Sequence, residues 1–226
     1  MSVAIKPTNS VAQIATEHPM STRVFARYQM DFCCGGKRSL NEICQERGLN
    51  VQKVVKEICD EVRDSREEEV RWDQAPLSEL IDHILARYHI SLKEELPRLE
   101  TMLHKVHKVH GEKDPERLLS LVNVFGAFKV ELMEHMEKEE VILFPMIRSG
   151  QGAMAGGPVS VMEMEHDSAG EALRKIRELT GDYQVPVNAC NTWRALWHGL
   201  KELELSTHQH IHLENNILHR RALSSS

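Results

Sequence analysis

His135-x3-Glu139-x2-Ile142-Leu143 recurs 75 residues later as His210-x3-Glu214-x2-Ile217-Leu218, and His89 and His166 stand 77 residues apart. Each of these lone histidines falls 46 or 44 residues before its His-x3-Glu pair. Unrelated histidines do not repeat in this way, so the interval reads as one helical hairpin used twice. The apolar periodicity agrees. One helix begins after Pro76, with Ile81, Ile84, Leu85, Tyr88 and Leu92 on one face, and continues past Pro97 with a kink. A second opens at Asp114-Pro115, a cap followed by proline in the first turn, and runs to Ile147. Residues 158–180 and 189–220 form the third and fourth. The expected fold is all-α, with an up-down four-helix bundle over residues 77–222. A small helical domain over residues 1–71 precedes it, with a capping box at Ser39 and Glu42 and a stripe of Val51, Val54, Val55, Ile58, Cys59 and Val62. Residues 64–76, charged and ending in proline, read as a linker.

A helical step of roughly 100° per residue tests which way the polar side chains face. His135 and Glu139 fall inside the stripe of Leu118, Leu121, Val122, Phe125, Phe128 and Leu132. Glu214 falls inside that of Trp193, Leu196, Leu200 and Ile217, with His210 on its flank. His166 flanks a stripe of Val161, Ala169, Ala172, Leu173 and Ile176, and His89 stands at the edge of its own. A carboxylate among apolar residues costs several kcal/mol unless paired or bound to a cation. His208 and His212 project outward from their helix and His83 faces water by the same step, while His104, His107 and His110 suit a solvated helix end. A supporting role for His110 stays open. His18, His198 and His219 carry no spacing pattern.

Four imidazoles and two carboxylates exceed the four ligands of one zinc. They suit two metal ions, each with two histidines and bridged by both carboxylates, and imidazole with carboxylate favours iron or manganese over copper(I). The Glu-x-x-His of ferritin-like di-iron proteins is absent. Composition closes other routes. With 28 Lys+Arg against 34 Asp+Glu, the net charge of −6 implies no broad cationic surface for nucleic acid. No apolar run approaches the about 18 residues of a membrane span. Residues 1–19 lack the apolar core of a signal peptide, and five cysteines, two of them adjacent, are a poor disulfide framework. The expectation is a cytoplasmic protein.

Met30-Asp31-Phe32-Cys33-Cys34-Gly35-Gly36-Lys37, Ile81-Asp82-His83-Ile84 with Arg87-Tyr88-His89, His135-Met136-Glu137-Lys138-Glu139-Glu140 into Leu143-Phe144-Pro145, Glu165-His166-Asp167, and residues 210–216 together resemble the Repair of Iron Centres family (YtfE/ScdA-type proteins with a hemerythrin-like bundle) over nearly the whole chain. The resemblance implies a centre of two non-haem irons ligated by His89, His135, Glu139, His166, His210 and Glu214. It also implies repair of iron–sulfur clusters damaged by nitrosative or oxidative stress, through iron donation, nitric oxide binding or both. Damaged iron–sulfur proteins would be the partners, with nitric oxide or dioxygen as the small ligand, and a homodimer is left open. The alternatives are a nitric oxide scavenger or sensor, or a reductase forming nitrous oxide. Two departures are visible. Leu218-His219-Arg220 replaces the family's usual Leu-Phe-Pro, and Gly170 stands where oxygen-carrying hemerythrins have a further histidine, leaving room for a small molecule.

Cys33-Cys34 is the second chemical feature. Adjacent thiols form a strained, easily reduced disulfide or supply thiolates for iron or nitrosyl transfer, and the basic Lys37 and Arg38 are placed to lower a thiol pKa. They are expected to be mobile and reactive, dispensable for building the metal centre; the bland alternative is small apolar residues in a tight loop. Cys44 and Cys59 belong to apolar faces, and Cys190 shows no partner.

Overall fold

The computed structural model describes residues 5–64 and 70–225. Part of the expected linker and the first four residues of the N-terminal segment lie outside them. Among the described residues there is no β-strand, only an isolated bridge between Ser10 and Ser39, and the all-α expectation holds. Nor, among the described residues, is any helix long and apolar enough to cross a membrane.

The small domain contains α1 (Val11–Glu17), α2 (Ser21–Arg27), α3 (Leu40–Glu46) and α4 (Val51–Asp64). The Ser10 hydroxyl caps α1 by accepting from Gln13 N, and Ser39 and Glu42 form the capping box that opens α3. Its core gathers Val11, Ile14, Val24, Phe25, Phe32, Leu40, Ile43 and Ile58. Each such side chain, fully buried, contributes roughly 1.5–3 kcal/mol of transfer free energy. Gly36 holds the turn after the cysteines, because a Cβ there would lie 2.5 Å from the Phe32 carbonyl oxygen and 2.7 Å from Ala12 Cβ.

The bundle is built from α5 (Leu77–Ile84) continuing into α6 (Ile90–His110), α7 (Pro115–Lys138) with α8 (Phe144–Arg148), α9 (Gly156–Leu179), and α10 (Asn191–Leu213) with α11 (His219–Ser224). Contacts run α6 to α7, α7 to α9, α9 to α10 and α10 back to α6, closing the ring. Pro97 is accommodated inside α6. Asp114 directs its carboxylate to Arg117 Nε at 2.6 Å and makes no side-chain cap, so Pro115 alone supplies the start signal of α7. The core holds Phe125, Phe128, Leu132, Met136, Trp197 and Leu200, whereas Val161, expected in the α9 stripe, is exposed.

Three of the four bundle helices contain a π-helical turn, at Leu85–His89, Glu139–Leu143 and Glu214–Leu218. A π turn inserts one residue and moves the side chains beyond it around the axis, a device common at functional sites. Nothing in a 3.6-residue pattern announces it.

The outward placement expected for His208 and His212 is corrected. His212 is 4 % exposed, and its Nδ1–H donates to the Phe32 carbonyl at 3.2 Å; His208 meets the Phe32 ring edge-on. The face that points away from the bundle interior is covered by the small domain, and Asn216 Nδ2 completes the junction by donating to the Cys33 carbonyl at 3.1 Å. His83 is likewise half-buried, against Trp72. His212→Ala is therefore expected to destabilise the protein by about 1 kcal/mol, the net worth of a buried hydrogen bond, and to loosen the cysteine loop. Hydrogen exchange at residues 32–36 reads this directly, with exposed His198→Ala as the silent control.

Candidate metal centre

The π turns deliver three side chains to one place. His89 ends the first turn, Glu139 opens the second and Glu214 opens the third, while His135, His166 and His210 project from regular helix. The structure brings the six together as two overlapping groups: His89, Glu139, His210 and Glu214, and His135, Glu139, His166 and Glu214. Within each group the candidate ligand atoms lie within 4.8 Å of one another, and both carboxylates belong to both groups. His89 Nε2 faces His210 Nε2 at 3.0 Å, and His166 Nε2 faces His135 Nε2 at 2.9 Å. Glu139 Oε2 is 3.4 Å from Nε2 of both His89 and His135, and Glu214 reaches His210 at 2.7 Å and His166 at 3.2 Å.

Both carboxylates are 0 % exposed, and both oxygens of Glu139, with Glu214 Oε2, lack a hydrogen bond of good geometry. Two pairs of imidazole nitrogens meeting head to head around such oxygens form a poor hydrogen-bond network and a good donor set for two cations. The residues fit a di-iron centre. Burial opposes charge on His89, but the Glu139 and Glu214 carboxylates beside its Nε2 prevail and raise its pKa to about 10. Burial also opposes charge on His135, where the Glu139 carboxylate prevails and the pKa rises to about 9. The carboxylates respond in the opposite sense. Burial would raise both, with repulsion from Glu214 adding to it at Glu139, yet the imidazoles bring Glu139 down to about 2 and Glu214 well below the usual range. Protons thus occupy the place of metal, and loading the metal-free protein with ferrous ion near pH 7 is expected to release protons. A pH-stat titration measures them; uptake without release would mean that His89 and His135 are neutral before the metal enters.

Outside the six, three residues orient the rings. His89 Nδ1–H donates to Glu140 at 2.8 Å, His135 Nδ1–H to Glu165 at 2.9 Å, and His166 Nδ1–H to Asn215 at 2.7 Å. Each bond turns the opposite nitrogen, Nε2, toward the centre and raises its basicity. Lys93 and Lys138 in turn hold Glu140 and Glu165. Sequence reasoning assigned no role to these acceptors, yet each adjoins a candidate ligand: Glu140 follows Glu139, Glu165 precedes His166, and Asn215 follows Glu214. His219, for which spacing gave no reason, is 1 % exposed and stacks on the His166 ring at 6.0 Å; burial lowers its pKa to about 4. His110 packs on Trp193 and lies within 3.4 Å of Cys190, roughly 30 Å along the helix from His89, which removes it from the site.

The cysteines lie against the bundle. Cys34 Sγ is 3.6 Å from the His166 carbonyl and 3.9 Å from where a Cβ of Gly170 would stand, so the space beside Gly170 faces a thiol. Gly170, Cys33, Cys34 and Asp31 line part of a cavity of about 540 Å³. Cys33 is buried in the bundle core. The expected lowering of the thiol pKa is reversed there: a hydrogen bond with Cys34, then burial, then the charges of Cys34 and Asp31 push Cys33 well above its usual value. Arg38 is spent on Glu46. Cys33, Cys34, Cys44 and Cys190 carry free thiols.

The family model described as the hemerythrin HHE cation binding domain matches residues 80–222. The ScdA_N model, described as a domain of unknown function, matches residues 7–61. The chain is similar to the iron–sulfur cluster repair protein YtfE of Yersinia pseudotuberculosis serotype IB (strain PB1/+), 42 % identical over 214 residues and covering 95 % of this chain and 96 % of that protein. It is 44 % identical to the protein of the same name from Dickeya chrysanthemi (strain Ech1591) over 215 residues, with the same coverage.

Proposed function

The chain belongs to the hemerythrin HHE family, among the YtfE-type iron–sulfur cluster repair proteins, and on that premise we propose that it restores clusters damaged by nitrosative or oxidative stress by giving up iron from a di-iron centre. The observation that carries the reading is the pair of buried carboxylates shared between two imidazole pairs. His89 and His210 would hold one iron, His135 and His166 the other, with Glu139 and Glu214 bridging. Bound iron supplies redox chemistry, affinity for nitric oxide and dioxygen, and a store of ferrous ion.

The chain's own residues favour release of a cation. A cavity of about 250 Å³ opens on His135 and His166 and is lined by Glu131, Glu134 and the Glu165–Lys138 pair, which leaves Glu131 and Glu134 as the carboxylates without an imidazole to hold. Carboxylates beside the centre attract a departing divalent ion and offer it replacement oxygen ligands. The partners would be damaged iron–sulfur proteins, met in a reducing cytoplasm, to which the free thiols of Cys33, Cys34, Cys44 and Cys190 are suited.

The test is a purified mixture of the iron-loaded protein and an iron–sulfur enzyme inactivated by nitric oxide, supplied with sulfide and reductant. Recovery of the enzyme together with transfer of labelled iron from this protein is the expected result. Recovery with nitrous oxide production and no iron transfer would replace iron donation by nitric oxide reduction. No recovery at all would overturn repair.

A further inference from the structure

The cavity of about 540 Å³ where the small domain meets α9 and α10 falls within the roughly 300–1,000 Å³ of small-molecule sites, and none of the six candidate ligands lines it. Two thiols do. Cys33 is buried, and its hydrogen bond with Cys34 together with burial holds it protonated. Cys34 is half-buried, and its S–H donates to the His166 carbonyl at 3.6 Å. Gly170 lines the cavity beside this sulfur, and its missing side chain leaves the approach to Cys34 Sγ open.

The charges around the cavity are unequally spent. Arg177 is paired with both Glu204 and Asp182, one carboxylate more than it can neutralise. Asp31 accepts from the Cys33 amide at 3.0 Å and its thiol at 3.2 Å, and among the described residues it has no basic partner. Arg47 reaches only the carbonyls of Tyr28 and Gln29, each at 2.8 Å, and Arg174 meets Glu171 at 3.9 Å. Two guanidinium groups with donors to spare thus share the cavity with unneutralised carboxylates. A ligand that answers both carries carboxylates of its own and an ammonium group.

We propose that this cavity binds a zwitterionic, low-molecular-weight thiol of peptide size, and that Cys34 exchanges with the disulfide form of that thiol to become S-thiolated. Cys34 Sγ attacks one sulfur of the incoming disulfide, and a new S–S bond forms as the old one breaks. The departing sulfur takes the proton that Cys34 gives up and leaves as a thiol. Cys34 is oxidised and the departing sulfur reduced, so the disulfide is itself the oxidant and no metal ion takes part. The inference therefore stands apart from the reading of the six ligands. Exposure alone would direct exchange to Cys190; the cavity redirects it to Cys34 by holding the charged ends of the ligand beside the sulfur. Thiolation would cover Cys34 until a thiol reductant restores it.

The test treats the full chain with glutathione disulfide and, in parallel, with the neutral 2-hydroxyethyl disulfide, and peptide mass spectrometry assigns the adducts. The ratio of initial rates at Cys34 and Cys190 should be about tenfold higher with glutathione disulfide, the yield of two partly exposed charged contacts. Equal ratios with the two reagents would overturn the site. Arg47→Gln with Arg174→Gln should remove the difference, and a difference that survives in the double variant would overturn the recognition. Arg174→Gln alone, at an exposed position, should reduce it about threefold, which decides the matter even where Arg47→Gln loosens the small domain. Cystine, with an amino acid's charges on a smaller frame, should react at Cys34 more slowly than glutathione disulfide. The reverse order would overturn a peptide-sized ligand.

Discussion

Glu214→Ala is expected to strip the protein of iron and to cost about 3–5 kcal/mol of stability, as removal of one partner from a buried charged cluster does. Glu214 is fully buried, belongs to both candidate metal groups, and faces His210 and His166. Its loss leaves four imidazoles and any bound cation with the Glu139 carboxylate alone in an apolar core, and opens a cavity of four heavy-atom positions. Glu214→Gln separates the two causes: it restores the volume but not the charge, so iron should still be lost while part of the stability returns. Glu139→Ala should follow the same direction, with a similar loss of metal. Iron per chain by elemental analysis and a thermal melt on the same sample check the result. Full iron content with an unchanged Tm in any of the three would dismiss the bridging role.

Cys34→Ala is expected to retain full iron content and abolish cluster repair in the purified assay. Six candidate ligands surround the centre without sulfur, so the thiol is not needed to build it. Yet Cys34 is half-buried, lies 3.6 Å from the carbonyl of His166, and borders the cavity beside Gly170, where iron or a nitrosyl group passing between the centre and a partner would meet it. Cys33 is the less suitable position to test alone. The residue is 4 % exposed and its thiol is held protonated, so Cys33→Ala mixes a packing defect with any chemical effect. Loss of iron in Cys34→Ala would make the sulfur a structural support of the centre. Undiminished repair would return the pair to the role of small apolar residues in a tight loop.

Much of this arrangement was legible because it repeats. The doubled His-x3-Glu at 75 residues and the lone histidines at 77 pointed to the same six residues that the structure gathers within 4.8 Å in each group. The ring-orienting acceptors Glu140, Glu165 and Asn215 were written beside those residues but not legible as such, because each serves a histidine on another helix. His212 shows the opposite failure. A helical wheel places it outside with respect to its own bundle, and only the presence of Phe32, 180 positions earlier in the chain, makes that side an interior.

By itself the sequence determined the helical class, the hairpin repeat, the capping box at Ser39 and Glu42, and the placing of two carboxylates on apolar faces, because all of these are set by residues within a few turns of one another. Only the tertiary structure decided the three π turns, the burial of His212 and His219, and the seating of Cys34 against His166. The physical reason is range. A helix's periodicity encodes which way its side chains point relative to its own axis. The inserted residue of a π turn is repaid by packing and charge supplied from other helices, and whether an outward face meets water or a second domain depends on contacts between residues far apart in the chain.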